Sequence, residues 1–229
     1  MLNDNWLIKN LDTIDSTQTY AQAFHYRDKQ VVINARHQTN GYGQYGREWI
    51  GIEDNLSVSL VVPAKKLSPE ITLVTSMAIG DVILRYGVNI QYKWVNDILI
   101  DSKKIGGILT EYFKGNLIIG IGINIKNHPK MISNFPATNL LENGINISSD
   151  KFLDLMLKSF TETYNKWLNV GFKDLRMLWK TRAYKLNSDV IIIDEDRKIS
   201  GTFVDIDEGG RIVIQNESGL HILQSGSMK

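Results

Sequence analysis

Cysteine is absent from the 229-residue chain, which excludes disulfides, thiolate nucleophiles and Cys-built zinc sites together. Histidine is scarce: four residues, at 25, 37, 128 and 221, without metal-ligand spacing, so no protein-held metal is expected. Neither sign of charge dominates. The 26 Lys plus Arg face 25 Asp plus Glu, a formal net charge of +1, which offers no general field to nucleic acid or anionic lipid. Any anion site must be local. The longest apolar runs, 117–125 and 190–193, fall far short of a membrane span. The opening MLNDNWLIKNLDTID lacks the basic and apolar regions of a signal peptide, so a cytoplasmic protein without a membrane partner is expected. Fewer than 15 residues precede the first motif, leaving no room for a helix-turn-helix, and no DNA partner is expected. With only four prolines and no low-complexity tract, wholesale disorder is excluded.

What is present is an ordinary globular composition, 43% hydrophobic and 22% charged, enough for a large domain plus a small module. Ser16 caps a predicted helix to about Tyr26, VVINA (31–35) reads as a buried strand and LSVSLVV (56–62) as a half-buried one. Ser68 as N-cap, Pro69 at N1 and Glu70 start a helix that ends at Gly87. From 90 to 125 the texture is short β segments: IQYKW, DILI, IGGILTEYF and NLIIGIGINI. Ser148 or Ser149 caps a long helix closed by Gly171, and another follows over 173–182. Beyond Asn187 four strands (189–194, 198–206, 210–215, 219–223) predict a small SH3-like β-barrel. The fold class is therefore α+β: a mixed β-sheet with helices mainly on one face in residues 1–182, then the β module in 183–229.

Four segments carry candidate chemistry. Gly41-Tyr42-Gly43-Gln44-Tyr45-Gly46-Arg47 contains G-x-G-x-x-G, but it runs into a strand instead of opening a helix, so the dinucleotide fingerprint fails. No kinase motifs follow it. Its backbone N–H groups either wrap an anion beside Arg47 or form an ordinary surface loop. Lys93-Trp94-Val95-Asn96-Asp97 is either a site at a sheet end or a turn. Lys104 before Gly106 and Gly107 marks a close ligand approach or a hairpin tip. Gly120-Ile121-Gly122-Ile123-Asn124 leaves one sheet face bare, and something must pack there.

In this order, the pieces resemble the biotin protein ligase family: Asp15-Ser16-Thr17, Ala35-x-x-Gln38-Thr39-x-Gly41-x-Gly43-x-x-Gly46-Arg47-x-Trp49, K-W-x-N-D at 93–97, K-x-G-G-I-L at 104–109 and G-I-G-I-N at 120–124. The resemblance implies a class II synthetase/biotin ligase-like sheet. It also implies an enzyme of the monofunctional type, without the N-terminal DNA-binding domain, that joins biotin to AMP from ATP and transfers it to a lysine of a biotin carboxyl carrier protein domain of acetyl-CoA or pyruvate carboxylase. Mg²⁺ would arrive on the ATP phosphates. By matching positions, Arg47, Lys104 and Asp97 would be catalytic. Biotin would be held by Ser16, Thr17, Gln38, Gly41, Trp49, Gly106 and Gly107, and the nucleotide by Gly43, Gln44, Gly46, Asn96 and Asn124, with Trp94 as a second wall. Family members are monomers or homodimers.

Two positions depart from the family loop G-R-G-R-x-G-R: Tyr42 and Gln44 stand where it carries arginine. A neutral amide cannot make the forked, charged contact of a guanidinium. Losing one donor to developing charge costs about 2.7–4 kcal/mol, which implies a slow enzyme or early adenylate release. Arg36, two residues before Gln38 on an extended strand, is expected to share its face and replace the lost charge. Val95 replaces the family's proline. Alternatives are a lipoate-type acyl ligase, a non-catalytic biotin or nucleotide binder given the missing arginines, and a purely structural protein.

Overall fold

The computed structural model describes the whole chain except residues 4, 24, 25, 27, 28, 65, 130, 133, 134, 195 and 196. Its larger part is a seven-stranded sheet, order β1-β2-β3-β7-β6-β5-β4. The strands are β1 (Leu7–Ile14), β2 (Val31–Gln38), β3 (Leu56–Pro63), β4 (Gln91–Lys93), β5 (Asp97–Ile100), β6 (Lys103–Phe113) and β7 (Asn116–Ile123). Only β1 and β2 pair in parallel; the other neighbours are antiparallel. The mixed strand β1, LIKNLDTI, unforeseen in the sequence, is an edge strand, largely exposed, so it carries no apolar alternation to betray it. Central β3 is buried at every position but Pro63, not half-buried. Its polar Ser57 and Ser59 face other protein groups instead of water.

Helices α2 (Glu70–Leu84), α3 (Ser149–Val170) and α4 (Phe172–Lys180) follow the expected order. They cover one face of the sheet, where Leu56, Val58, Leu60, Leu117, Ile119 and Ile121 join Ile79, Phe152 and Phe160 in the main core. Helix α2 starts one residue later than read. Pro69 takes the N-cap position, and the Ser68 hydroxyl bonds the Glu70 carboxylate instead of a backbone N–H. Ser148 does cap α3, accepting from Lys151 N–H. Among the described residues the opposite face carries the short α1 (Thr17–Gln22), whose Ala21 packs on Val31, Ile33, Val61 and Ile118. Helix α1 ends well before Tyr26; residues 24 and 25 of that reading lie outside the described residues. A small hairpin, β8 (Met131–Ile132) with β9 (Phe135–Pro136), follows β7.

The C-terminal strands β10 (Asp189–Asp194), β11 (Arg197–Ile206), β12 (Ile212–Asn216), β13 (Gly219–Leu223) and β14 (Ser227–Met228) form one antiparallel sheet, order β13-β12-β11-β10-β14. Among the described residues nothing pairs β13 with β14, so the expected barrel is an open sheet. Strand β12 begins later than expected because Asp207 Oδ1 accepts the N–H groups of Gly209 and Arg211, turning the chain there. Phe203, Ile206, Ile212 and Ile214 join the main core.

Candidate active site

A cavity of about 290 Å³ opens on the α1 face, where the alternate glycines of β7 leave the sheet bare. The side chains that fill this space come from elsewhere. A Cβ at Gly122 would overlap the Trp49 indole, and one at Gly120 would stand 2.8 Å from Gln18 Oε1. Glycine is needed at both positions because an aromatic wall and an amide lie against the backbone itself.

One end of the cavity presents donors. Ser16 Oγ accepts from the N–H groups of Gln18 and Thr19, so its own proton is free to point into the cavity. Gln38 Oε1 accepts Thr17 N–H at 2.8 Å, which turns the Gln38 amide nitrogen toward Gly41, where a Cβ would stand 2.8 Å from it. The expected contact roles of Thr17 and Gly41 change accordingly. Thr17 lines the cavity, but its hydroxyl lies between Gln38 Oε1 (3.0 Å) and Ser59 Oγ (2.9 Å). Gly41 makes room for the amide and is not a cavity wall.

Charge gathers at the other end. Asp97 lies between two buried lysines, with Lys104 Nζ 2.5 Å from Oδ1 and Lys93 Nζ 3.5 Å from Oδ2. The Lys104 contact is an ion pair without hydrogen-bond alignment. Lys93 also sits over the Phe135 ring at 4.4 Å. Its burial lowers the ammonium pKa below the ordinary 10.5; Asp97 opposes this shift, while Lys104 and Lys229 add to it. Gly107 lies beside this group, where a Cβ would come within 3.3 Å of Lys104 Nζ. Gly106 turns instead toward Ile123 and the Gly122 carbonyl, away from the cavity. Asn96 lines the cavity, yet its amide donates to Ile108 O at 3.0 Å and ties the turn between β4 and β5 to β6.

Gly43, Gln44, Arg47, Glu48 and Trp49 form the cavity rim, and Trp94 contributes from the core. Gly46, at φ +67°, serves the turn of the loop and does not line the cavity. The loop is fastened from the C-terminal sheet: Arg47 Nη2 donates to Ser227 Oγ at 2.9 Å and Tyr45 OH to Asp194 Oδ1 at 3.3 Å. Gly226, Ser227, Met228 and Lys229 complete the enclosure. Asn124 borders a second hollow that shares Arg47, Glu48 and Trp49 with the first. It is buried, donates to Thr138 O, and its Oδ1 has no partner among the described residues.

The expectation for Arg36 is wrong. Its side chain is 82% exposed and faces Asp12 at 3.8 Å, away from the cavity lining. Pairing of β2 with β3 stops at Ala35 and Ser57 while β1 continues beside β2 to Gln38, so Arg36 meets Asp12 of the edge strand and not the cavity. Sequence reasoning also left Lys93 without a role, although it stands in a quoted motif. It missed Phe135 and the 226–229 segment, whose sequences carry no recognisable signal.

The profile of the biotin/lipoate A/B protein ligase family matches residues 11–127, and that of the biotin protein ligase C-terminal domain matches residues 185–228. The chain is 29% identical over 242 residues to the bifunctional ligase/repressor BirA of Bacillus subtilis, covering 95% of this chain and 72% of that protein. Against the biotin–[acetyl-CoA-carboxylase] ligase of Paracoccus denitrificans it is 26% identical, covering 86% and 88%. The fold superimposes on the biotin protein ligase of Aquifex aeolicus in complex with biotin and ATP with a TM-score of 0.87, 28% identity and 97% coverage of both chains.

Proposed function

The chain belongs to the biotin/lipoate A/B protein ligase family, and from that premise we propose that its cavity joins biotin to AMP and passes the acyl group to a carrier-protein lysine. One observation carries the reading: a single cavity has the Ser16 and Gln38 donors directed inward at one end and two lysines around one carboxylate at the other, with Arg47 on its rim. A ureido carbonyl fits the Ser16 and Gln38 donors, the Trp49 wall suits an apolar ring and chain, and the cations suit a carboxylate meeting a phosphate.

In the first half-reaction a biotin carboxylate oxygen attacks the α-phosphorus of ATP, and the bond to pyrophosphate breaks. Negative charge moves between oxygens, so cations matter more than a nucleophilic side chain. Arg47 and Lys104 would face that charge, Lys104 being oriented by Asp97. In the second half-reaction the carrier lysine amine attacks the acyl carbon, AMP leaves with the bonding electrons, and the amine loses a proton. Asp97 would receive that proton. Asn124, with its buried unpartnered oxygen, would accept from the adenine amino group in the adjoining hollow. Mg²⁺ would come on the ATP phosphates, since Asp97 is already paired and no metal-holding acidic or histidine cluster occurs among the described residues. Asn96 would hold the β4–β5 turn against β6 in place of touching ribose. The partner would be a carboxylase carrier domain, the compartment the cytoplasm, and the catalytic part would end near residue 182.

The test is to mix the protein with ATP, Mg²⁺, biotin and a carrier domain, following pyrophosphate and carrier mass. Biotin-dependent pyrophosphate release and one biotinyl addition at the carrier lysine are expected. Turnover with lipoate alone, or tight biotin binding without pyrophosphate, overturns the reading.

A further inference from the structure

Resting on that reading, we propose that Glu111 is the positioning residue for biotin, anchoring both α1 and the glycine loop to β6 so that the donor end of the cavity stays closed. Its Oε2 lies 2.7 Å from Gln18 Nε2, 2.9 Å from Gln22 Nε2 and 3.4 Å from Tyr42 OH. Gln18 and Gln22 are one turn apart on α1, and Tyr42 precedes Gly43 of the loop. A six-residue helix has little stability of its own, yet α1 begins at Ser16, whose hydroxyl is one of the two inward donors.

The polarity of the group is fixed. Gln18 Nε2 also donates to Ile118 O at 3.1 Å, and Gln18 Oε1 accepts from Ser59 at 2.9 Å. Turning the amide over would set its oxygen against the Ile118 carbonyl and Glu111, so Glu111 is the acceptor. Tyr42 stays a donor: burial and the neighbouring Glu111 both raise its hydroxyl pKa above 10.0. Strand alternation puts Gly107, Leu109 and Glu111 on one face of β6. The first two line the cavity and Glu111 lies beyond it, so Glu111 acts through the groups it holds.

Glu111→Gln keeps the shape and removes the charge. Biotin Kd by calorimetry without ATP, and biotin KM for pyrophosphate release, are expected to rise about tenfold. The kcat at saturating biotin and the KM for ATP stay within about twofold. Tyr42→Phe raises the biotin constants by about threefold, and the double variant is no worse than Glu111→Gln alone, because both break one contact. Wild-type biotin constants in Glu111→Gln overturn the proposal. So does a joint loss of kcat, both KM values and melting temperature, which marks a scaffold role. If Glu111→Gln fails to fold, unchanged biotin Kd in both Tyr42→Phe and Gln22→Ala overturns it. Absence of biotin-dependent pyrophosphate from the wild type overturns the functional reading itself, and this proposal with it.

Discussion

Lys93 attracts an anion only while it is protonated, and its buried place in the cavity lowers its pKa from 10.5. That attraction is complete below the lowered pKa and fades as pH rises through it. The kcat/KM for biotin-dependent pyrophosphate release is therefore expected to show an alkaline limb below the usual lysine range of about 10.4. Lys93→Arg, charged throughout, should remove the limb; a limb unmoved by that change would assign it to another group. Gln44 lines the cavity as a neutral donor. Gln44→Arg should raise single-turnover adenylate formation by about tenfold or more if developing charge is under-stabilised there. Arg36→Ala should leave the same rate within about twofold, as expected of an exposed ion pair. Chemistry-bearing residue types were legible here through the order of the motifs, since the Arg47 loop and the 93–97 segment each read alone as a site or as an ordinary turn. Their contacts were not. Thr17 and Asn96 look like ligand groups in sequence, whereas in the structure the Thr17 hydroxyl bonds Gln38 and one Asn96 amide hydrogen goes to Ile108 O.

Among the elements, β7 shows how a sequence pattern can announce a site without naming its occupants. Alternate glycines predict a bare face, and only tertiary folding brings Trp49 and Gln18 onto it. Gly122→Ala should fold, push the indole off the sheet and raise biotin KM by about tenfold, with little change in ATP KM. Equal biotin KM values would mean that Trp49 is not a ligand wall. Strongly apolar strands and the capped α3 were readable because burial and capping write themselves into local sequence. The edge strand β1 was not, since it buries little, and α2 starts late because Pro69 itself occupies the cap position. The open form of the C-terminal sheet was equally hidden, as strand patterns carry no record of whether the outer strands meet.

Across the molecule, the two matched regions do not carry separate cores. The main cluster runs from β3, β7 and α2 into Phe203, Ile206, Ile212 and Ile214. Trp94 Nε1 donates to Gly210 O at 3.1 Å, Arg176 to Ile206 O at 3.0 Å, and Lys180 pairs with Asp205 at 2.7 Å. The same C-terminal sheet reaches round to hold Arg47 and Tyr45 at the cavity rim. Folding and site assembly are thus coupled: a chain that loosens this sheet releases the loop that carries Arg47. Thermal unfolding should be a single transition by both calorimetry and tryptophan fluorescence. Trp94→Phe, which orphans a buried carbonyl, should cost about 1–3 kcal/mol and raise the KM for ATP and biotin together while the transition stays single. Two resolved transitions, with the C-terminal sheet melting first and adenylate formation surviving it, would show that this sheet is only an appendage and that Arg47 holds its place without it.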